Sequence, residues 1–348
     1  MEGPASGRDG EDVSGSERDT QNANEIMNDS IPYLATPDKA AFRDHLETKV
    51  AHWIRQWDGE EQLTAGVIGV PLSKASISLS GASSTPAAVR AAFRSFTTYS
   101  MEYDVDLQQM AVRDLGDIQM HVTDIEECHR RIEACLVKLY ELQPSIVPIV
   151  IGGDHSISCP SVKAFARRYP GKKLGIIHFD AHHDVRNFED GGATNGTPFR
   201  GILESGLVAG NNIAQIGIRG FMNSKAYHDY VKSKGVHVFT SRNVRNCGMS
   251  TVLAQALAAA GDGTDAIYAS FDVDVIDQAF APGCPAIGTG GLNPWDALDA
   301  LYHLGTLPQV MAIDFVCIDP TVDVRNVTSR LAVQFMLSFL AGMASRPG

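Results

Sequence analysis

The sequence predicts an α/β protein built in three layers, with helices on both faces of a central, mainly parallel β-sheet. Short segments rich in β-branched residues alternate with longer amphipathic segments along most of the 348-residue chain. This alternation is typical of parallel strands that are connected by crossover helices. No internal repeat or long linker divides the chain, which favours one large domain over two.

Seven segments are predicted to be buried strands because they are short, apolar and rich in β-branched residues. They are residues 65–70, 147–152, 174–179, 212–218, 236–239, 266–271 and 309–313. Longer segments with helical periodicity are predicted to be helices. They are residues 122–142, 158–168, 224–234, 251–260, 294–304 and 329–343. In open sheets of this kind, ligands bind beyond the carboxyl ends of the strands, so polar residues that follow the strands are candidate site residues.

The N-terminal residues differ from the rest of the chain in composition. They are rich in Gly, Ser, Asp, Glu and Asn and lack hydrophobic periodicity. Such a segment buries too little apolar surface to offset the entropy lost on ordering. We therefore predict a flexible acidic tail over residues 1–36, or an arm that orders on a partner, and a single catalytic domain over residues 37–348.

Charge and composition argue against several classes of partner. The formal net charge of −12 and the pI near 5.3 disfavour nucleic-acid binding, which requires clustered basic residues. Apolar runs such as residues 145–151 and 174–177 are far shorter than the roughly 20 residues that cross a bilayer. The N-terminus has no apolar signal core, and the six cysteines form no CxxC pair. We expect a cytoplasmic protein with reduced thiols that binds neither nucleic acid nor membranes.

Three polar segments, each rich in aspartate or histidine, follow predicted strands. They are residues 152–155 (GGDH), 180–184 (DAHHD) and 270–274 (SFDVD). The carboxyl ends of parallel strands meet at one edge of the sheet, so these segments are expected to lie together. A cluster of buried carboxylates is mutually repulsive unless it binds cations. The three segments therefore predict a metal site.

The spacing within these segments agrees with metal binding. In an extended chain, residues two apart project to the same side, so Asp180, His182 and Asp184 can converge, as can Asp272 and Asp274. With His155, the set contains four carboxylates and two imidazoles, which suits two cations that share bridging ligands. Oxygen-rich ligation with some imidazole suits Mn²⁺ or a similar divalent ion. A lone histidine after a strand, or a lone DxD, is more often structural, and it is the combination that favours a binuclear site.

The motifs GGDHS, DAHxD and SFDxDxxD, in this order, resemble the signature blocks of the ureohydrolase family of arginases, agmatinases and formiminoglutamases. The match spans roughly residues 152–330. The resemblance implies an arginase/deacetylase-like fold and two divalent ions per chain, Mn²⁺ in most members and Ni²⁺ in some branches. It also implies assembly into trimers or hexamers, either homo- or hetero-oligomeric.

The same resemblance assigns the metal ligands residue by residue. One ion would be held by His155 and Asp184 and the other by His182 and Asp274, with Asp180 and Asp272 bridging. A hydroxide on the metals would attack the amidino carbon of a small-molecule substrate. Asp184 would accept its proton and relay it to the leaving amine. Near the ligands, His178 is expected to support Asp180, and His183 to be a supporting or solvent-facing residue.

Within the family, residues 180–187 (DAHHDVRN), 195–199 (NGTPF) and 319–330 (DPTVDVRNVTSR) look most like the formiminoglutamase branch. Arg186 occupies a position where family members contact the tail of the substrate, and its guanidinium could bind a carboxylate in a bidentate manner. The alternative is an internal ion pair between Arg186 and Glu189 or Asp190.

Two positions depart from the arginase and agmatinase pattern. Asn195 stands where those enzymes carry a histidine thought to shuttle protons, so this predicted catalytic and substrate-binding residue can orient a substrate but cannot titrate. Cys317 stands where the family carries a glutamate that pairs with the guanidinium. A thiol near its reference pKa of about 8.5 is mostly neutral, so a roomier and less acidic substrate pocket is expected. The alternative is that Cys317 points into the core as a small hydrophobic residue.

These observations favour a binuclear-metal hydrolase that cleaves a C–N bond of a linear amidine or guanidine. Motif similarity favours a formiminoglutamate-like substrate. The loss of the glutamate favours a substituted guanidine or biguanide, of the dimethylguanidine or metformin type, with the chain as the active subunit of a hetero-oligomer. A zinc deacetylase or an inactive partner subunit is disfavoured, because all six ligands are present and a single-zinc enzyme would not need His182 and Asp274.

Overall fold

The structure is a computed structural model that describes residues 44–346. The elements below belong to one compact unit that begins at Thr48. The predicted tail over residues 1–36 and the predicted start of the domain at residue 37 lie outside the described residues.

The centre of the fold is an eight-stranded sheet in which every neighbouring pair of strands is parallel. In chain order its strands are β1 (Ala65–Gly69), β4 (Val112–Asp117), β5 (Val147–Ile151), β6 (Leu174–Phe179), β7 (Ile213–Ile218), β8 (His237–Thr240), β9 (Ala266–Asp272) and β10 (Val310–Val316). Their spatial order is β4-β1-β5-β10-β9-β6-β7-β8. Strands β2 (Tyr99–Ser100) and β3 (Val105–Asp106) form a separate antiparallel ribbon.

Helices surround this sheet. They are α1 (Val50–Trp53), α2 (Thr85–Ala92), α3 (Ile125–Leu142), α4 (Ser158–Arg168), α5 (Pro198–Ser205), α6 (Lys225–Ser233), α7 (Ser241–Cys247), α8 (Met249–Gly261), α9 (Pro294–Thr306) and α10 (Val327–Ala344). One group of contacting helices contains α3, α4 and α5, and a second contains α2, α10, α9, α8 and α7. This arrangement confirms the predicted α/β fold class.

All seven predicted strands and all six predicted helices are present, with differences of up to three residues at their ends. The edge strand β4, the ribbon strands β2 and β3 and the short helices α1, α2, α5 and α7 were not predicted. Strand β4 has the sequence VRDLGD and is buried only at its first two residues, so it lacks the apolar pattern that identifies the other strands.

Helix α10 is both long and apolar, a combination that was not predicted from the sequence. Among residues 44–346, Val324–Ala344 is the one helical segment long and apolar enough to cross a membrane, and 67% of its most apolar window is buried in the fold. It packs along α9 and against α2. Its apolar character is therefore that of a core helix.

The strand register aligns the ends of the four central strands. Phe315 pairs with Ile151 on one side and with Phe271 on the other, and Phe271 pairs with Phe179. These four residues lie level across β5, β10, β9 and β6. The segments that follow these strands therefore emerge together at one edge of the sheet, as the sequence predicted.

Candidate metal centre

His155 lies at the centre of the first group of predicted ligands. Its Nδ1 atom lies 3.1 Å from Asp180 Oδ2, 3.0 Å from Asp184 Oδ2 and 3.1 Å from Asp272 Oδ2. The side chain is fully buried, yet Nδ1 makes no hydrogen bond with acceptable geometry. A buried nitrogen that faces three carboxylate oxygens without a hydrogen bond is typical of a metal ligand.

His182 organises the second group. Its Nδ1 atom lies 2.8 Å from Asp274 Oδ2 and 3.3 Å from Asp180 Oδ1. Asp180 therefore presents one oxygen to each histidine, as a bridging ligand must. Asp272 presents Oδ2 to His155, while its Oδ1 accepts a hydrogen bond of 2.8 Å from the Asp274 backbone N–H. The bridging role of Asp272 remains a prediction.

The electrostatics of the cluster fit cations better than protons. Burial, followed by repulsion from Asp274 and Asp180, raises the pKa of Asp272 to about 8. Burial and Asp180 likewise raise the pKa of Asp184 to about 6. Burial lowers the pKa of His182, but Asp274 and Asp180 outweigh this effect and raise the pKa to about 12. Without cations, several of these groups would hold protons at neutral pH, whereas two divalent cations would neutralise the charge directly.

Residues behind the ligands hold Asp180 in place. His178 Nε2 donates a 2.8 Å hydrogen bond to Asp180 Oδ2, because its Nδ1 accepts one of 3.1 Å from Gln215 Nε2. The imidazole ring of His178 also stacks on Phe199, with 3.7 Å between centroids. These contacts agree with the supporting role predicted for His178. His183 is buried and bonds to Gln215 and His228, which agrees with the supporting role, and not with the solvent-facing one, of the two alternatives expected for it.

Asp184 adopts a backbone conformation that few non-glycine residues occupy. Its φ is +52°, in the left-handed region that aspartate tolerates better than most residues. The Asp184 carbonyl accepts hydrogen bonds from the backbone N–H groups of Phe199 (3.0 Å) and Arg200 (3.3 Å), in the first turn of α5. Helix α5 thus stabilises the strained turn that brings the Asp184 carboxylate to the metal centre.

A cavity of about 380 Å³ opens above the ligands. Its walls include Asp184, Asp272 and Asp274 from the metal centre and Arg186, Asn195, Tyr227 and Cys317 around it. This volume lies within the range of small-molecule sites. The structure therefore places all three predicted substrate residues at the cavity.

Asn195 fixes the loop that forms one wall of the cavity. Its backbone N–H donates to the Ala75 carbonyl at 2.9 Å, and its Oδ1 accepts from the Ile77 N–H at 2.9 Å. The side-chain amide nitrogen has no partner over residues 44–346. One end of the amide is therefore structural, and the other end is free to donate to a substrate.

Arg186 is exposed at the cavity wall. Within the described part of the chain, its guanidinium forms no hydrogen bond or ion pair, so the predicted alternative pairing with Glu189 or Asp190 is absent. Its stem packs against Gly196, where an added Cβ would lie 2.6 Å from Arg186 Cδ. The Tyr227 hydroxyl, on the same cavity wall, accepts bonds from the backbone N–H (3.4 Å) and Nδ2 (3.2 Å) of Asn187. Its own proton is therefore free for a ligand.

Cys317 combines features of both predicted alternatives. It is only 7% exposed, yet it lines the cavity, and its Sγ lies within 4.8 Å of ligand atoms of His155 and Asp272. Its φ of +63° is left-handed, and its N–H donates to the Gly153 carbonyl at 2.9 Å. Burial, followed by the nearby Asp272 charge, raises the thiol pKa well above its usual value. The group facing the cavity here is therefore a neutral thiol.

Two titratable residues of the cavity, Asp154 and Tyr227, were not predicted from the sequence. Asp154 is buried, and it accepts hydrogen bonds from the backbone N–H groups of Ser156 (3.0 Å) and Ala75 (3.2 Å). Burial raises its pKa to about 6. Its position inside GGDHS could have identified it. Tyr227 comes from α6, where no motif marks it.

The parallel sheet, the convergence of the six predicted ligands and the cavity above them define an αβα protein with a binuclear divalent-metal centre. Comparison with known proteins identifies the family. The sequence profile of the arginase family matches residues 63–342. The chain belongs to the arginase family.

Individual relatives are similar over nearly the whole chain. A formimidoylglutamase from Halalkalibacterium halodurans is 49% identical over 303 residues, which cover 87% of this chain and 94% of that protein. The crystal structure of formimidoylglutamase from Bacillus subtilis matches with a TM-score of 0.88 and 41% identity, over 94% of this chain and 100% of the other. A Trypanosoma cruzi formiminoglutamase solved with Mn²⁺ matches with a TM-score of 0.79 and 27% identity, over 86% and 100% of the two chains.

Proposed function

We propose that the protein hydrolyses N-formimino-glutamate with the help of two Mn²⁺ ions. The observation that carries this proposal is the convergence of all six predicted ligands beneath a cavity whose wall presents the unpaired guanidinium of Arg186. The formimidoylglutamase relatives and the Mn²⁺-bound neighbour support the substrate and the metal. The protein is a hydrolase of amidino C–N bonds.

The reaction adds one water molecule across the amidino carbon and breaks the bond from this carbon to the glutamate nitrogen. The products are glutamate and formamide, and one proton of the water must reach the departing nitrogen. Two divalent ions in this site would supply the Lewis acidity that makes water nucleophilic near neutral pH. His155 and Asp184 would hold one ion, His182 and Asp274 the other, and Asp180 and Asp272 both.

The residues of the chain perform the proton transfer and the positioning. Asp184 lines the cavity beside His155, so it can accept the proton of the attacking water and pass it to the leaving nitrogen. Asn195 cannot titrate, and its free amide nitrogen orients the substrate. Arg186 and the Tyr227 hydroxyl are donors suited to a substrate carboxylate. The neutral thiol of Cys317 borders the amidino group.

The alternative substrate, a substituted guanidine or biguanide, is not favoured. Its main support was the replacement of an acidic residue by Cys317. The relatives with high identity over most of this chain are formimidoylglutamases, and an unpaired Arg186 suits an acidic substrate better than a cationic one.

We further propose that the protein is cytoplasmic and assembles into trimers or hexamers. The first part rests on the acidic composition and the reduced cysteines, and the second on the habit of the family. Light scattering coupled to size-exclusion chromatography measures the assembly. A monomeric protein at micromolar concentration would contradict the proposed assembly into trimers or hexamers.

A substrate panel tests the proposed activity. The Mn²⁺-loaded protein would be assayed with formiminoglutamate, arginine, agmatine, guanidinobutyrate, dimethylguanidine and dimethylbiguanide. We expect formiminoglutamate to be preferred, with equal amounts of glutamate and formamide released, and elemental analysis to find two Mn²⁺ per chain. The Asp180→Ala variant, which lacks the ligand shared by both ions, should be inactive. Preferred turnover of a guanidine or biguanide would overturn the proposed substrate. Higher activity with Ni²⁺ than with Mn²⁺ would overturn the proposed metal.

A further inference from the structure

Behind His155, a buried carboxylate occupies a position that the sequence analysis did not single out. We propose that Asp314, acting through the Ser270 hydroxyl, fixes the tautomer and orientation of His155 and thereby sets the affinity of the ion that His155 binds. Asp314 is a positioning residue in this proposal, because it lies outside the substrate cavity and reaches the metal ligand His155 only through Ser270.

Asp314 lies on β10 and is fully buried. Its Oδ1 accepts hydrogen bonds from Ser270 Oγ at 2.7 Å and from the Phe271 backbone N–H at 3.3 Å. Its Oδ2 accepts from Ser158 Oγ at 2.7 Å and from the Tyr268 hydroxyl at 2.8 Å. Over residues 44–346 no lysine, arginine or histidine forms an ion pair with it. A buried carboxylate held by three hydroxyl groups and one amide, without a cation, is costly to maintain, which calls for a role beyond packing.

The donors and acceptors in the hydrogen bonds that connect Asp314, Ser270 and His155 fix the tautomer of His155. Ser270 has a single hydroxyl proton, and its short contact with Asp314 directs that proton to the carboxylate. Ser270 Oγ then has only lone pairs for its remaining partners, His155 Nε2 at 3.0 Å and the more distant Ser158 Oγ at 3.4 Å. Nε2 must therefore carry the ring proton and donate it. In the neutral ring that would bind a cation, Nδ1 therefore keeps its lone pair, on the side of the carboxylates of the metal centre.

The opposite tautomer would place a proton on Nδ1, where a metal ion must bind. An acceptor behind a histidine ligand excludes that tautomer and increases the basicity of the ligating nitrogen. His182 has no such contact within the described residues and is partly exposed. The effect of Asp314 is therefore confined to the ion on the His155 side.

The hydroxyl groups around Asp314 provide a matched set of variants. Ser270→Ala interrupts the connection between Asp314 and His155, whereas Ser158→Ala and Tyr268→Phe each remove one hydroxyl from Asp314 and leave the Ser270 hydrogen bonds to Asp314 and His155 in place. Because Ser158 Oγ also lies 3.4 Å from Ser270 Oγ, Tyr268→Phe is the stricter control of the two. Asp314→Asn tests the carboxylate itself. The readout is Mn²⁺ binding to the full-length chain by titration calorimetry and elemental analysis after dialysis, which does not depend on turnover.

We expect Ser270→Ala and Asp314→Asn to lower the affinity for one of the two ions by about 10–100-fold, the usual effect of losing a partner behind a metal ligand. The second ion should bind as in the wild type. Ser158→Ala and Tyr268→Phe should retain two ions with affinities close to wild type, even if their thermal stability falls. Equal losses of metal affinity in all three hydroxyl deletions, or no loss in Ser270→Ala, would overturn the proposal and leave Asp314 as a structural residue.

Discussion

Cys317 illustrates how one residue can alter the chemistry of a site whose predicted metal ligands all match the family motifs. The residue adopts a left-handed φ of +63° and lies beside His155 and Asp272, where it presents a neutral thiol to the cavity. A glutamate at this position would add a negative charge suited to a guanidinium. The thiol leaves room and removes that charge. A guanidinium loses more by this exchange than a formimino group, which carries a C–H in place of one NH2 and so has fewer N–H groups to donate to a carboxylate.

Cys317→Glu should therefore raise kcat/KM for a guanidino acid such as guanidinobutyrate relative to formiminoglutamate. A charge-assisted hydrogen bond contributes about 1.5–3 kcal/mol, so the ratio should change by about tenfold or more. Steady-state kinetics on both substrates measure the ratio, and Cys317→Ser serves as the size-matched neutral control. Parallel changes for the two substrates would show that residue 317 does not select between them.

Arg186 and Tyr227 carry the second prediction at the residue scale. Arg186→Ala should raise KM for formiminoglutamate by about 10–100-fold with little change in kcat, because a carboxylate contact acts equally on the ground state and the transition state. Tyr227→Phe should have a smaller effect in the same direction, since it removes one neutral donor.

Formamidine, which has no carboxylate, is the control substrate for these two variants. Its kcat/KM should not change in either of them. An unchanged KM for formiminoglutamate in Arg186→Ala would assign that residue to a structural role. Arg186→Lys, which keeps the charge but loses the bidentate geometry, should fall between wild type and Arg186→Ala.

The six metal ligands that the sequence predicted share one property, which is local spacing after a strand. His155, Asp180, His182, Asp184, Asp272 and Asp274 follow strands at intervals that project them together, so the pattern was visible without a structure. Tyr227 and Asp314 were not predicted, because they join the site only through folding. Tyr227 reaches Asn187 from 40 positions away, and Asp314 reaches Ser158 from 156 positions away.

At the element scale, burial decided which strands could be predicted. The central strands β5, β6 and β9 are buried along their whole length, so each gives a continuous apolar run in the sequence. The edge strand β4 instead carries Asp114 and Asp117, which bind the Arg90 guanidinium at 2.6 Å each. These two aspartates form ion pairs with helix α2, which contains Arg90. The sequence of β4 therefore lacks the periodic apolar pattern of a strand.

Helices α9 and α10 approach each other closely enough to constrain two glycines. A Cβ at Gly342 would lie 2.0 Å from the Tyr302 carbonyl oxygen and 2.8 Å from Gly305 Cα. Gly342→Ala should therefore separate the helices and lower the free energy of unfolding by about 1–3 kcal/mol, the usual cost of overpacking. Urea denaturation followed by circular dichroism measures this change.

Gly261, at the end of α8, is the matched control for this substitution. A Cβ there would meet its nearest neighbours at 3.9 and 4.0 Å, so there is room for it. Gly261→Ala should leave stability unchanged or raise it by up to about 1 kcal/mol through the unfolded state. If both alanines shift the urea midpoint equally, the close packing of α9 on α10 does not limit stability.

At the scale of the whole molecule, bound metal ions are expected to stabilise the fold. Four carboxylates that are buried or nearly buried converge from two segments, residues 180–184 and 270–274, in a chain whose formal net charge is already −12. Without cations these groups must remain close together and share protons. Any ligand that binds only the folded state stabilises it, by about 2.7 kcal/mol at a hundredfold excess over Kd. Removing the metals should thus lower the Tm of the entire domain.

The pH dependence of that metal effect gives the last prediction. The folded metal-free chain binds protons more tightly than the unfolded chain at Asp272 and Asp184, whose pKa values are raised to about 8 and about 6. Between pH 4 and these values the folded state holds more protons, so the metal-free fold loses stability as pH rises. Metal binding displaces the same protons and becomes more favourable as pH rises. The difference in Tm between Mn²⁺-loaded and chelator-treated protein should therefore increase from pH 6 to pH 8 at a fixed free Mn²⁺ concentration.

Differential scanning calorimetry across this pH range measures the difference, and two variants separate the metal centre from the rest of the molecule. Asp272→Asn should flatten the increase, because it removes the carboxyl that titrates nearest to pH 8. Glu127→Gln should leave it unchanged: Arg130 and then Arg131 hold the pKa of the half-buried Glu127 at about 2, so its titration is complete well below pH 6. A wild-type difference that stays constant or shrinks between pH 6 and pH 8 would mean that cations and protons do not compete at these residues. In that case the ligands assigned to the metal centre would be wrong.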